Sequence, residues 1–279
     1  MLFPLLTTLS RESIRLAPND KAGWPQALPS SPVTPEELVA AVSPAFGRVG
    51  SAWYFVPETV AAGRELGLGA RRFYFLGRGG ALGDVDWRVV ASAFGYFAPA
   101  LVEEVWTSSR ERCEPAVAAA AFAGACADFG RRTLGGVGGL DAFCAAAERV
   151  VDAAVADAGG LTLFAGYAAL PLADDLPGRA AQLVAVLREL RGSAHLSAVV
   201  ATGLPTPLAH AIRRPADGEL FGWAEGQLPL PTDDDRRLLA AADAATDRVL
   251  ARRYAPLDNG GREALRAGAA AIGAAVAAA

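Results

Sequence analysis

Apolar residues recur at helical spacing along most of this chain. Leu183, Val186, Leu187 and Leu190 fall at i, i+3, i+4 and i+7, the face of an amphipathic helix. Leu238, Leu239, Ala242, Ala245, Val249 and Leu250 form a second stripe behind the acidic run Asp233 to Asp235, whose charges suit a helix N-terminus. "TPEELVAAV" opens with Thr34 as N-cap, Pro35 in the first turn and Glu37 at the capping-box position. A second Ser-Pro start is read at Ser43. Further helices are predicted from Pro57 to Gly67 or Gly69, behind Asp84, at "APALVEEVW", and from Pro115 to Gly130. The last of these is almost all Ala, Val, Phe and Cys and reads as buried. Helices are also expected over 141–158 and 162–170, and at "TPLAHAIRR". "FGWAEGQLPLPT" is the best strand candidate, as a small β wing, and "RRFYFL" is the second. The fold class is therefore all-α or nearly all-α.

Glycine and proline divide the chain. Pro18, Pro25 and Pro29 punctuate an N-terminal arm over 1–33. A first helical half covers 34–134, "GGVGG" links it to a second half over 140–257, and an Ala-rich helix or tail covers 258–279. The halves carry a weak repeat. "WRVVASAFGYFAPALVEEV" from Trp87 lies on "HLSAVVATGLPTPLAHAI" from His195, with Val89-Val90-Ala91 on Val199-Val200-Ala201 and Pro99 on Pro207 after a short gap. Such a repeat predicts two related halves facing each other across a cleft.

The net charge of −4 and a pI near 5.3 argue against a nucleic-acid protein, which usually carries a basic face. With 52% hydrophobic and 20% charged residues the chain buries a sizeable core. Cys113, Cys126 and Cys144 fit neither a zinc site nor a disulfide framework and read as buried free thiols. "MLFPLLTTLS" lacks a basic start and meets Arg11 and Glu12 at once, unlike a signal peptide. No stretch has the roughly 20 apolar residues of a membrane span. A cytoplasmic protein with no membrane partner is expected.

"YFLGRGGALGDVDWRVVASAFGYFAPALVEEVW", "LRELRGSAHLSAVVATGLPTPLAHAI" and "RRLLAAADAATDRVLARRYAPL" together resemble a family of actinobacterial proteins of largely unassigned function, catalogued as helix-turn-helix-like. The resemblance covers roughly Pro44 to Leu257. It implies an Arg-Gly-Asp-Ala-His core, matched by Arg191, Gly192, Ala194 and His195, with Ser193 where Asp is usual. It also implies a winged-helix ending, matched by Thr232, Arg236 or Arg237, Thr246 and Asp247, without the usual glycine. Two winged-helix-like halves follow from it as the expected architecture.

A DNA-reading helix pair presents polar and basic side chains at the start of its second helix. On "TPLAHAIRR" these are Thr206, His210, Arg213 and Arg214, with the arginines at the far end and His210 read as exposed. On "APALVEEVW" Glu103 and Glu104 would repel phosphate. Arg191 and His195 share a helix face and suit an acid–base pair acting on an anionic or carbonyl ligand. A buried Arg191 needs a partner, with Asp174, Asp175 and Glu189 as internal candidates. The alternative is a histidine that only ties two helices together. Tyr74, Arg78, Trp87 and Tyr96 are the candidate ligand-binding residues, within an aromatic-rich first half that suits an apolar pocket. "GRGGALGD" matches no phosphate-loop fingerprint and reads as a turn. With two histidines and no clustered cysteines no metal site is expected, and no motif names a cofactor. The leading reading is a small-molecule-acting protein, a binder or an enzyme of specialised metabolism, with a partly apolar ligand between the halves. The rival is a DNA-binding transcriptional regulator of the winged helix-turn-helix type. A homodimer is compatible with both.

Overall fold

The computed structural model describes residues 33–279, which form one compact unit. The N-terminal arm and the segment read against a signal peptide lie outside the described residues but for Val33. Twelve α-helices and two short 3-10 turns make up the described elements. They are α1 Pro35–Ala52, α2 Pro57–Glu65, α3 Ala70–Gly79, α4 Trp87–Phe94, α5 Pro99–Arg110 and α6 Pro115–Leu134. Then come α7 Leu140–Val155, α8 Thr162–Ala168, α9 Leu176–Ala201, α10 Thr206–Arg213, α11 Asp233–Tyr254 and α12 Asn259–Ala278.

The axis of the molecule is α9. Its 26 residues span roughly 39 Å at 1.5 Å per residue. From Ala180 to Leu187 every residue is buried, so it has no solvent face there. A helix apolar all round must be surrounded, and α1, α6, α7, α8 and α11 enclose it. Asp175 caps its start by accepting from the Gly178 N–H at 2.9 Å. Small residues set the closest approaches: a Cβ on Gly130 of α6 would lie 2.3 Å from the Pro177 carbonyl oxygen. The Ala-rich α12 packs on α1 and α7 through Leu265, Gly268, Ala269 and Ile272. No helix among the described residues is long and apolar enough to cross a membrane.

Three local readings need correction. The Ser43-Pro44 start is not a helix boundary, because α1 runs through Pro44. The interior proline forfeits a backbone bond at about 3 kcal/mol, but the buried face Leu38, Val39, Val42, Ala45, Phe46 and Val49 is continuous across it. "RRFYFL" is helical and lies in α3, where Phe73 to Gly79 are all buried. A short apolar run does not distinguish a buried strand from a buried helix. The wing segment is no strand: Glu219–Phe221 is a 3-10 turn and the following residues close on themselves through Trp223 N–H to Gly218 and Gln227 N–H to Ala224. Gly222 at φ 84° and Gly226 at φ 75° make the tight turns, and Pro229 and Pro231 lack the N–H donors a ladder needs. Cys126 and Cys144 are buried free thiols and Cys113 is half-buried. Burial pushes the Cys144 thiol up to about 11 and Cys126 higher still, so both stay protonated.

Candidate functional site

Two helix–turn–helix junctions stand where the sequence repeat aligns. α4 ends at Gly95, at φ 74°, whose N–H donates to the Ala91 carbonyl at 2.9 Å. Four residues later Pro99 opens α5. α9 ends in Thr202 and Gly203, at φ 78°, and α10 opens with Pro207 in its first turn. Each junction uses a left-handed glycine to leave one helix and a proline, whose missing N–H costs nothing there, to start the next.

The turns face one cavity of about 880 Å³. Ser92, Gly95 and Phe97 line it from the first junction, and Ser197, Val200 and Pro207 from the second. Trp223 also lines it and donates its indole N–H to the Tyr96 carbonyl at 2.9 Å. The Ala98 N–H donates to Phe221 at 2.8 Å, so the segment expected as a wing is tied onto the α4–α5 turn. Gly95 meets Leu196 at van der Waals limits: a Cβ there would lie 2.5 Å from Leu196 Cδ1.

A second chamber of about 540 Å³ shares Ala93, Leu163, Ser193 and Leu196 with the first, and α1, α9 and α11 also wall it. Its floor is a buried charge cluster. Glu189, 1% exposed, accepts from Arg78 Nη2 at 2.8 Å, Arg78 Nε at 3.1 Å, Arg188 Nη1 at 2.7 Å and the Tyr54 hydroxyl at 3.3 Å. Burial alone raises the Glu189 carboxyl, but Arg78 and Arg188 outweigh it and hold it below the ordinary value. The Arg78 guanidinium also sits 4.4 Å from the Phe94 ring centroid.

Farther along α9, His195 Nδ1 lies 3.3 Å from Thr246 Oγ1 and 3.5 Å from Asp243 Oδ1. Thr246 donates its single hydroxyl proton to the Ala242 carbonyl at 2.7 Å, so it accepts from His195 and Nδ1 carries the proton. Burial keeps the ring neutral, against the pull of Asp243. Nε2 is therefore a bare acceptor, and it makes no hydrogen bond among the described residues. Arg191 lies 3.8 Å from Asp247.

Of the candidate residues, Arg78, Tyr96, Arg191 and His195 line the second chamber. Tyr74 is a layer behind, its hydroxyl accepting from Arg78 Nη1 at 3.1 Å. Trp87 lines neither chamber and stacks under the Arg88 guanidinium, 4.6 Å from its ring centroid. Two of the three expected partners of Arg191 are otherwise engaged, Asp175 capping α9 and pairing with Arg131 and Glu189 belonging to Arg78 and Arg188, and Asp174 makes no ion pair with Arg191. Arg48, Arg188 and Asp243 were not legible as site residues, Tyr54 only as one of many first-half aromatics and Thr246 only as part of the winged-helix match. The one available signal was "RELR", three charges within four residues of a largely apolar helix.

His210 is a correction: it is fully buried, 4.7 Å from the Phe221 ring centroid, with no partner for either ring nitrogen among the described residues. Its helix is pinned by the docked 3-10 turn, which the sequence could not place there. Burial, helped by Arg214 and opposed by Asp217, lowers its pKa. For His195 burial dominates, with Arg213 and Arg191 acting with it and Asp243 and Asp247 against. Both rings thus bind fewer protons folded than unfolded, where the pKa is about 6.5. Stability is complete above that value and is lost as pH falls from it toward the lower folded values. The melting temperature is expected to fall between pH 7.5 and pH 5, and less steeply in His210→Phe; an unchanged profile in that variant contradicts the assignment.

An all-helical unit with two helix–turn–helix junctions defines the class. The chain belongs to the helix-turn-helix family, whose pattern matches residues 39–226. Comparison with curated proteins and with solved structures gives no match.

Proposed function

We propose that the chain binds a small organic molecule in the two-chambered cavity between its helix–turn–helix junctions, and that the junctions mark two related halves. The observation that carries this reading is the orientation of the turns. In a DNA-reading unit the start of the second helix meets base edges; here Pro99 of α5 and Thr206 and Pro207 of α10 line the shared cavity instead. What α10 has left is engaged, with Arg213 on Asp243 and Arg214 on Asp217, and His210 is buried. The exposed face of α5 carries Glu103 and Glu104, which disfavour phosphate. In this reading His195 Nε2 is a base or hydrogen-bond acceptor for the ligand, and Arg191 is held loosely enough to turn to it.

Family membership favours a second reading, a DNA-binding regulator whose cavity holds an effector. Arg191→Ala and His195→Ala separate a ligand role from a structural one. Both are expected to melt within a few degrees of the parent while ligand retention, followed by native mass spectrometry, drops. A large loss of melting temperature with retention intact would make the pair a helix tie and remove it from the site.

A further inference from the structure

Five arginines line the second chamber, Arg48, Arg78, Arg188, Arg191 and Arg214, against a single acidic residue, Glu189. Two have carboxylates outside the lining: Arg214 pairs with Asp217 at 3.1 Å, and Arg191 lies 3.8 Å from Asp247. Arg48 has no ion-pair partner among the described residues. Arg78 and Arg188 share Glu189, so the buried cluster retains one positive charge. Glu189 Oε1 already accepts from Arg78 Nε, Arg188 Nη1 and Tyr54, and Oε2 takes Arg78 Nη2. Its single negative charge is shared between two guanidiniums and neutralises nothing further.

Among the described residues Arg188 spends only Nη1, on Glu189 and on the Tyr54 hydroxyl at 3.1 Å. Its Nε and Nη2 donors have no acceptor among the described residues, and neither is sealed from solvent there. That edge of a guanidinium is a planar fork matched to a carboxylate. Gly50 of α1 leaves room for the side chain: a Cβ there would lie 2.8 Å from Arg188 Cδ. The remaining walls are largely apolar, including Phe46, Phe94, Leu187, Leu196 and Leu250.

We infer that the ligand is a small organic monocarboxylate, its carboxylate held by Arg188 Nε and Nη2 with Arg48 beside it, and its apolar body against Phe94 and Leu196. This rests on the ligand-cavity reading above. The buried cluster retains one uncompensated charge, and Arg48, the second unpaired guanidinium, is exposed to solvent, so the enclosed end of the site matches a monoanion. A phosphate group brings up to two charges and favours helix N-termini, whereas α9 lines this chamber from its interior, Leu187 to Leu196.

The test is calorimetric titration of the full chain with octanoate and phenylacetate, with octanamide and phenylacetamide as neutral isosteres, and with inorganic phosphate, at an ionic strength of about 0.15 M. The acids are expected to bind about tenfold tighter than their amides, a charge-assisted fork against a neutral contact. Arg188→Gln is expected to erase that preference. Arg48→Ala, at an exposed position whose loss leaves the fold intact, is expected to weaken acid binding severalfold and leave amide binding unchanged. Amides binding as tightly as acids would overturn the carboxylate and leave the cavity reading standing. No binding of acid or amide would overturn both. Phosphate displacing octanoate, or octanoate binding unaltered in folded Arg188→Gln, would also overturn the inference.

Discussion

Glu189→Ala is expected to lower the stability of this protein by about 3–5 kcal/mol, the cost of removing one partner from a buried ion pair and leaving the other charge uncompensated. The case is sharper than a single pair, because Arg78 and Arg188 both depend on the same carboxylate, which is 1% exposed. At about 2–4 °C per kcal/mol for a chain of this size, the melting temperature falls by roughly 10 °C or more. The exposed pair Glu263–Arg266 is the control, and Glu263→Ala is expected to leave the melting temperature unchanged. Acid acts in the same direction as the substitution. The folded carboxyl is held below its unfolded value of about 4.3, so its contribution is present above that pH and lost as pH falls through the lower folded value. Thermal melts from pH 6 to pH 3 should show this loss in the parent and not in Glu189→Ala. Equal melting temperatures of parent and variant would remove the cluster from the account of stability.

Two glycines of α6 are expected to respond in opposite directions to the same change. Alanine in place of glycine in a helix interior stabilises by about 1 kcal/mol when nothing intervenes. A Cβ on Gly124 meets nothing within 4 Å, so Gly124→Ala should gain that amount. A Cβ on Gly130 would lie 2.3 Å from the Pro177 carbonyl oxygen and 2.7 Å from Ala181 Cβ. The first is backbone, with no rotamer to yield, so α6 and α9 must separate where both are buried. Overpacking of this kind costs about 1–3 kcal/mol and more where backbone must move, which exceeds the propensity gain. Gly130→Ala should therefore melt well below the parent and Gly124→Ala slightly above it. A gain at both positions would show that the α6–α9 contact is looser than described.

The long helices were legible because their signals are local. The capping box of Thr34 and Glu37, the acids in the first turn of α11 and the apolar spacing of α9 each act within a few residues. The paired junctions were legible too, since glycine and proline mark both turns. What the sequence concealed depends on partners far along the chain. Nothing near His195 points to Asp243 and Thr246, which reach it from α11. Arg191 finds Asp247 from that same helix rather than the three nearer acids. His210 looked exposed because the turn that covers it begins only at Gly218, and α3 looked like a strand because burial on all sides removes periodicity. The room that Gly50 leaves for Arg188 depends on α1 crossing α9, a tertiary fact with no local trace.

The central claim is that the two junctions enclose a ligand rather than present themselves to a duplex. The most direct measurement is affinity selection on the full chain, exposed together to a library of small organic acids and a pool of randomised duplexes, with Ala93→Phe in parallel. Ala93 lines both chambers, so the larger side chain narrows the cavity without touching the outer faces of α5 and α10. The account predicts that the parent retains small acids, that Ala93→Phe loses them, and that no duplex is enriched by either. Enrichment of a duplex by the parent, weakening steeply with salt and unchanged in Ala93→Phe, would contradict it.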